Sequence, residues 1–413
     1  MNTTTIILAV IVFLVIIWLL VAVLIIARKK LVQEGTVTLT VNEERKIEHE
    51  RGCTLLQALS DDKIFMPSAC GGGGTCGCCK GKVLSGGGSL LPTETAHIDR
   101  KMATENYRLF CQVKVKEDMA IEIPAEVFGV KKWECTVESN HNVATYIKEF
   151  VVKLPKGETI DFKSGGYIQI DVPKCTVNYK NIEVDDEYRA DWEQHGLFDL
   201  VMKNSEPGTR AYSMASHPSE NDRIMLNVRI ATPPFDRKKG AMMKVNPGIC
   251  SSYIFSLKTG DKVNISGPYG EFFIKDTHNE MMFIGGGAGM APMRSHVFDQ
   301  FKTHHTDRKA TFWYGGRSKR ELFYIDDFEQ IEKENPNFSF NIALSEPLEE
   351  DHWSGYVGFI HQVIYDQYLK NYSNPEDIEY YICGPGLMTE AVLKMLDSLG
   401  VPKSMIFFDD FGA

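Results

Sequence analysis

The sequence lacks an excess of positive charge, a dense set of cysteines and the composition of a disordered chain. Lys and Arg total 45 against 55 Asp and Glu, a formal net charge of −10. This balance argues against nucleic acid as a partner, because neutralising phosphates requires clustered cations. Ten cysteines in 413 residues are too sparse for a disulfide scaffold. Hydrophobic residues at 43% and charged residues at 24% are ordinary for folded domains, and the length allows about two to four of these.

Long apolar runs are equally scarce, since the sequence contains a single one. Residues 6–27 form 22 consecutive apolar residues without charge, Pro or Gly, and a helix of this length spans roughly 33 Å, enough for a bilayer core. No basic residue precedes the run, so a retained span is favoured over a signal peptide or a buried helix. Three cations follow at 28–30 and place the remaining chain in the cytoplasm by the positive-inside rule. We therefore expect a single transmembrane anchor over residues 1–30.

Four cysteines crowd into residues 70–79, and another lies at 111. The spacing C-x5-C-x2-C followed by a distant Cys is one residue longer than that of plant-type [2Fe–2S] ferredoxins. A glycine-dense loop can wrap tightly and aim N–H groups at sulfides. Zinc also takes four cysteines, usually as two short pairs, whereas this pattern is three plus one. The pattern predicts a [2Fe–2S] cluster in a ferredoxin-type domain over 31–128, with these metal ligands: Cys70, Cys76, Cys79 and Cys111.

Residues 129–275 contain many short strand patterns separated by Gly and Pro, which predict an antiparallel β-barrel. Arg210, Tyr212 and Ser213 bring a cation, an aromatic ring and a hydroxyl to one such strand. Tyr212 shares a face with Arg210, whereas Ser213 lies on the other face unless the strand ends there. The segment 248–253 resembles a glycine turn opening a short helix, whose N–H groups would suit a pyrophosphate. Each motif alone is a weak signal.

Residues 276–413 have the pattern of an α/β domain with a parallel sheet. A buried strand over 281–284 leads into a glycine loop at 285–292 and then a helix, the geometry that seats a phosphate. An ordinary Rossmann dehydrogenase is disfavoured, because Met290 holds the last glycine position and the next strand ends in Gly-Gly-Arg instead of an acid. A later strand runs into Cys-Gly-Pro-Gly at 383–386. Loops at such strand ends bind ligands in parallel sheets.

The order of these motifs resembles that of the ferredoxin–NADP reductase superfamily. With a ferredoxin pattern and an apolar helix in front, the whole chain resembles the F subunits of the sodium-translocating NADH:quinone reductases. Ala-Leu-Ser-Glu-Pro at 343–347 and the terminal Asp-Asp-Phe-Gly contribute to this resemblance. Gly386 departs from it, since a second Pro is common there. The resemblance implies a multidomain fold: one transmembrane helix, a β-grasp [2Fe–2S] ferredoxin domain, an antiparallel β-barrel FAD domain, and an α/β parallel-sheet NADH domain.

The resemblance also implies roles for individual residues. Arg210 would pair with the flavin pyrophosphate, Tyr212 would pack on the isoalloxazine, and Ser213 would bond near its reactive nitrogen. Gly248, Ser251 and Ser252 would bind the pyrophosphate, and a pyrophosphate site favours FAD over FMN. The residues expected to receive the nicotinamide dinucleotide are Gly285, Gly287, Gly289, Pro292, Arg317, Cys383 and Gly384. Cys383 would lie near the transferable hydride, Phe411 would cover the flavin, and Asp409 and Asp410 would polarise the entry. The catalytic set is then Ser213, Cys383 and Phe411.

The implied function is electron input from NADH. A hydride carries two electrons while a [2Fe–2S] cluster accepts one at a time, so a flavin must convert between them. The expected path runs from NADH to FAD to the cluster, then through other membrane subunits of the bacterial inner membrane to quinone. NADH is expected over NADPH, although Arg317 could grip a 2′-phosphate. A membrane-anchored reductase of an oxygenase system is the alternative, and a zinc-bound membrane scaffold is another. A single uncharged helix offers no path for sodium, so any pumping belongs to partners.

Overall fold

The computed structural model describes residues 3–31, 35–236, 238 and 240–409, and within the first helix it describes the side chains of residues 7–23. The chain divides into two compact units, residues 1–128 and 129–413. The first unit begins with helix α1 (Thr3–Leu31). Tested over the described residues alone, the chain has no helix that is both long and apolar enough to cross a membrane.

The rest of the first unit is a five-stranded sheet with two short helices. Its elements are β1 (Thr36–Val41), β2 (Arg45–Glu50), α2 (Leu55–Asp61), β3 (Lys80–Ser85), α3 (Arg100–Thr104), β4 (Tyr107–Leu109) and β5 (Met119–Glu122). The strand order is β2-β1-β5-β3-β4, with β1 and β2 forming an antiparallel hairpin and β1 running parallel to β5. Alternate residues of β1 are buried because one face packs against α2. This is the expected β-grasp arrangement.

The second unit begins with an antiparallel barrel. Its elements are β6 (Lys131–Ala144), β7 (Ile147–Lys153), β8 (Tyr167–Val172), β9 (Cys175–Asn178), α4 (Asp186–Gln194), β10 (Val201–Asn204), β11 (Gly208–Ser213), β12 (Arg223–Arg229), β13 (Phe235–Asp236), β14 (Ala241–Met242), α5 (Ile249–Ser256) and β15 (Lys262–Tyr269). Six strands pair in the order β11-β8-β15-β6-β7-β12. A bridge between Met214 and Leu226 closes the barrel between its first and last strands.

Helix α4 is rich in acidic residues and packs onto the barrel. Trp192 of this helix is fully buried, and its indole N–H donates to the carbonyl of Thr145 at 2.8 Å. Burial of this large ring explains why a helix rich in acidic residues stays attached to the barrel.

The remaining chain forms a six-stranded sheet covered by helices. Its elements are β16 (Met281–Gly286), α6 (Met290–Phe298), β17 (Ala310–Gly316), α7 (Ile325–Glu334), β18 (Phe338–Leu344), β19 (Tyr356–Val357), α8 (Ile360–Gln367), β20 (Glu379–Cys383), α9 (Gly386–Ser398) and β21 (Ile406–Asp409). All strands are parallel, in the order β19-β18-β17-β16-β20-β21. β16 is buried on both faces because its alternate residues belong to separate cores, which explains its continuous apolar sequence.

Strand β21 differs from the expectation for the chain end. The sequence predicts a last buried strand through Phe407 and Phe408, and the strand is present. Phe407 stacks on Tyr381 at 5.1 Å between ring centroids, but Phe408 is 50% exposed. The prediction that Phe408 is buried is wrong, because β21 is the edge strand of the sheet.

Candidate functional site

Ser213 is the last residue of β11. Its side chain is therefore not held to the alternation of the strand and points toward the parallel sheet. Ser213 is 8% exposed, and its hydroxyl donates to Oδ2 of Asp409 at 2.6 Å. Asp409 is the last residue of β21 and lies in register with Cys383, the last residue of β20. The fold thus brings Ser213, Cys383 and Asp409 together where the barrel meets the carboxyl edge of the sheet. The sequence singled out the first two, and gave Asp409 only a role at the entry.

The aromatic residue of β11 connects the strand to helix α5. The Tyr212 hydroxyl donates to the Cys250 sulfur, and burial raises the pKa of Tyr212 well above its usual value. Burial also raises the pKa of the Cys250 thiol to about 12, so both groups stay neutral. Arg210, on the same strand face, is exposed and donates to the Thr209 carbonyl at 2.8 Å. An aromatic ring and a cation therefore stand beside the start of α5.

The first turn of α5 is held by close packing. A Cβ on Gly248 would lie 2.5 Å from the Cβ of Ala231, so the turn accepts only glycine at this position. The Ser251 hydroxyl accepts the Ala231 N–H at 3.1 Å, while the Ser252 hydroxyl lies 2.7 Å from the Tyr179 hydroxyl. Both serine side chains are thus engaged by the protein. What the helix offers a pyrophosphate is the set of backbone N–H groups of its first turn.

The glycine loop between β16 and α6 touches the end of β20. A Cβ on Gly289 would lie 2.1 Å from the carbonyl oxygen of Cys383 and 2.6 Å from the amide nitrogen of Gly384. Gly287 has a positive φ of 55°, a conformation that glycine adopts at low cost. Pro292 lies in the first turn of α6, where its missing N–H costs nothing. The two loops expected to receive the nicotinamide nucleotide are therefore in direct backbone contact.

The carboxyl ends of β17 and β18 hold an ion pair that the sequence did not reveal. Arg317 donates to Oε2 of Glu346 at 2.7 Å, and the Glu346 N–H donates to the Arg317 carbonyl at 2.8 Å. The hydrogen bond to Glu346 raises the pKa of Arg317. An acidic side chain thus lies beside the end of β17, although it comes from the segment that follows β18. The Ser-Glu pair just after β18 was the available sequence signal.

Four of the six cysteines of the first unit lie in two pairs. The Cys76 thiol donates to the Cys70 sulfur at 3.4 Å, and the Cys79 thiol donates to Cys111, which lowers the pKa of Cys111 to about 7. Backbone N–H groups of residues 75 and 76 point at Cys70, and that of residue 74 points at Cys111. Over the described part of the chain, no three His, Cys, Asp or Glu side chains surround one metal position. Two thiol pairs beside a loop that supplies N–H donors suit a two-iron cluster better than one zinc ion.

The remaining thiol of the loop at 70–79, that of Cys78, points in a different direction. The Cys78 side chain donates to the Cys76 carbonyl at 3.7 Å, whereas its N–H donates to the Cys76 sulfur at 3.5 Å. Cys78 therefore contributes its backbone to the sulfurs.

A buried ion pair fixes the strand that leads to Cys111. Arg108 and Glu94 are 6% and 0% exposed, and they are joined by hydrogen bonds of 2.8 to 3.0 Å. Burial would raise the pKa of Glu94, but Arg108 and the N–H groups of Leu91 and Leu109 hold it below its usual value. Removing one partner of such a pair costs about 3–5 kcal/mol, because the other charge stays buried.

Two of the predicted site residues, Asp410 and Phe411, lie outside the described residues.

Comparison with known proteins decides the family. A 2Fe-2S iron-sulfur cluster binding domain model matches residues 39–116, an oxidoreductase FAD-binding domain model matches 194–274, and an oxidoreductase NAD-binding domain model matches 283–394. The F subunit of the Na(+)-translocating NADH-quinone reductase of Neisseria gonorrhoeae is 58% identical over 386 residues, 94% of each chain. The F subunit of the same reductase in Mannheimia succiniciproducens is 58% identical over 388 residues, again 94% of each chain.

The chain belongs to the family of F subunits of Na(+)-translocating NADH-quinone reductases. As a member of this family it is an oxidoreductase that uses a 2Fe–2S cluster, FAD and NADH. The resemblance drawn from its motifs is confirmed.

Solved structures share the fold of this reductase chain at low sequence identity. The Amycolatopsis cytochrome P450 reductase GcoB is 22% identical, covers 91% of this chain and 99% of its own, and has a TM-score of 0.62. The ferredoxin reductase in carbazole 1,9a-dioxygenase is also 22% identical, covers 92% and 99%, and has a TM-score of 0.58. At this identity the likeness describes the architecture and carries no argument for an oxygenase partner.

Proposed function

We propose that this chain takes a hydride from NADH onto FAD and sends single electrons through its cluster to other membrane subunits and so to quinone, within a sodium-translocating reductase. The observation that carries the proposal is the meeting of Ser213, Cys383 and Asp409 where the flavin barrel contacts the nucleotide sheet. When bound, FAD supplies the exchange between two-electron and one-electron chemistry. Rapid mixing with NADH tests it: flavin absorbance should bleach before cluster absorbance. Failure of NADH to bleach the flavin would contradict the proposal.

The residues at this meeting point orient the reactants. Asp409 accepts the Ser213 hydroxyl hydrogen, which fixes the rotation of the hydroxyl beside the place proposed for the flavin. Cys383, at the carboxyl end of β20, is proposed to lie against the nicotinamide. Hydride transfer requires no general acid or base, so none is assigned. Phe411 is proposed to cover the flavin until the nicotinamide displaces it.

The remaining assignments follow the same division. We propose that Cys70, Cys76, Cys79 and Cys111 would hold the cluster. Domain limits of 31–128, 129–275 and 276–413 are proposed for the ferredoxin, FAD and NADH domains. Arg210, Tyr212 and the N–H groups after Gly248 are proposed to bind FAD, and the glycine loop at 285–292 with Gly384 to bind NADH.

Preference for NADH is proposed to depend on Glu346. Its carboxylate neutralises Arg317 and would repel the 2′-phosphate of NADPH. We expect Glu346→Ser to raise kcat/KM for NADPH roughly tenfold relative to NADH, about 1.4 kcal/mol, because Arg317 becomes free for the phosphate. Steady-state kinetics with both nucleotides measure this ratio. Glu350→Ser, at an exposed acid of the same loop, is the control and should leave the ratio unchanged; an equal change in both variants would contradict the role of Glu346.

Residues 1–30 are proposed as a single membrane span, with the remaining chain on the cytoplasmic side of the bacterial inner membrane. The support is the 22-residue apolar run, its position within α1, and the exposure of most of its described side chains at 7–23, among them Trp18 at 77%. Exposed apolar surface of this extent requires a nonpolar environment. The relatives are named for a quinone reductase that translocates sodium, which also favours membrane association over the oxygenase alternative.

Deleting residues 1–30 should impair electron transfer to quinone but leave the reduction of FAD and the cluster by NADH intact. We expect the shortened protein to keep FAD and the cluster and to reduce artificial one-electron acceptors with NADH at a near-normal rate. Quinone reduction should fall at least tenfold when it is added to membranes lacking this chain, because the anchor no longer raises its local concentration. Cofactor content and both rates are the measurements. Full quinone reduction at equimolar levels would show that the anchor is dispensable. Loss of flavin would show that residues 1–30 are needed for the folding of the cofactor domains, contrary to this prediction.

A further inference from the structure

Arg294 is a buried cation that extends from helix α6 into the flavin barrel. It lies in the second turn of the helix that follows the glycine loop and is 7% exposed. Its Nη1 donates to the Ala215 carbonyl at 2.7 Å. Nη1 and Nη2 also donate to the two carboxylate oxygens of Glu220, at 2.9 and 3.1 Å. A bidentate, charge-assisted pair of this kind fixes orientation as well as distance.

Both partners of Arg294 belong to the segment that follows β11. Ala215 is two residues beyond Ser213, and its N–H donates to the Met225 carbonyl at 2.7 Å, which binds the segment into the barrel. Burial would raise the pKa of Glu220, but its hydrogen bonds with Arg294 hold it below the usual value. Both groups are therefore charged at neutral pH.

Aromatic rings enclose the guanidinium. It lies 4.3 Å from the ring centroid of Phe298 and 5.3 Å from that of Tyr324. Tyr324 in turn donates to Glu149 of β7 at 2.5 Å and accepts from Asn227 of β12 at 2.8 Å. Arg294 is thus buried within this interface and Glu220 lies partly exposed at 28%, so the loss of the acid would leave a buried charge without its partner.

The placement has a chemical consequence. Helix α6 begins at the loop that we assign to the nicotinamide nucleotide, and the segment after β11 begins at the serine that we assign to the flavin. The distance between the two reacting centres therefore depends on how these two elements are held. A misplacement of about 1 Å can cost roughly a hundredfold in rate.

We propose that Arg294 is a positioning residue that sets the alignment of NADH with the flavin through Ala215 and Glu220. This inference rests on the proposed function. It predicts that breaking the pair slows hydride transfer while both cofactors remain bound.

The experiment compares Arg294→Met with Arg308→Met in the full chain loaded with FAD and cluster. Arg308 is 8% exposed and pairs with Glu379 at 2.7 Å near the amino-terminal ends of β17 and β20. It therefore controls for the loss of a buried arginine. We expect Arg294→Met to slow flavin reduction by NADH ten- to a hundredfold in rapid mixing, with NAD⁺ affinity within about threefold of wild type. Arg308→Met should lower Tm but leave the rate per FAD-loaded molecule near that of wild type.

A second measurement does not depend on turnover. Amide hydrogen exchange of residues 213–217 should quicken in Arg294→Met and stay unchanged in Arg308→Met. Arg294→Lys, which keeps the positive charge but cannot bond both carboxylate oxygens of Glu220 through two nitrogens, should recover part of both effects. This variant remains informative if the methionine variant does not fold. Wild-type rates and exchange in both Arg294 variants would overturn the inference. Failure of NADH to reduce the wild-type flavin would overturn the proposed function. The exchange result would still show whether Arg294 holds the segment that contains Ala215 and Glu220.

Discussion

Cys79→Ala is expected to abolish the visible absorbance of the cluster while FAD stays bound. The reason is that Cys79 forms one of the two thiol pairs of the loop, and an iron held by one remaining cysteine is lost. NADH should still bleach the flavin, because the flavin and nucleotide sites lie in the second unit. Quinone reduction by the assembled complex should fall to background, a loss of roughly a thousandfold or more, since single electrons have no route onward.

Cys78→Ala is the matched control for that variant. The side chain of Cys78 points to the Cys76 carbonyl, and alanine keeps the backbone N–H that reaches the Cys76 sulfur. Cluster absorbance and iron content should therefore stay close to wild type. If Cys78→Ala lost the cluster and Cys79→Ala kept it, the proposed ligand set would be wrong.

Gly289→Ala is expected to lower NADH-driven flavin reduction by roughly a hundredfold. The added Cβ would lie 2.1 Å from the carbonyl oxygen of Cys383, and neither backbone can yield without moving one of the two loops assigned to the nicotinamide. Displacement by about 1 Å at a reacting centre has an effect of this size. Reduction by dithionite should be unchanged, because the flavin site itself is intact.

Gly386→Ala controls for a methyl group in the same region. Nothing lies within 4 Å of a Cβ at this position, and its φ is not positive. Alanine also favours the helix α9 that begins there. NADH kinetics should stay within about twofold of wild type. An equal loss in both variants would show that these loops tolerate no added methyl group, and the contact with Cys383 would not be the cause.

Much of the fold could be predicted from the sequence, because the patterns that indicate its helices, strands and loops are local. The spacing of Cys70, Cys76 and Cys79 lies within ten residues, and the strand, glycine loop and helix at 281–298 follow one another directly. Apolar alternation and glycine turns depend on neighbours a few positions away, so one sequence displays them. The order of the motifs then indicated the family, and the family implied the cofactors.

Only the tertiary structure decided which distant residues meet. Ser213 bonds to Asp409 across 196 residues, Arg294 reaches Glu220 across 74, and Gly289 touches Cys383. Each contact depends on strand order and on how the barrel packs against the sheet, and hydrophobic periodicity encodes neither. The acid beside Arg317 was missed for the same reason, because it comes from the adjacent strand β18 and no local pattern joins the two strand ends. The sequence by itself therefore determined the cofactors and their order, whereas the packing of barrel against sheet determined the residues that align them.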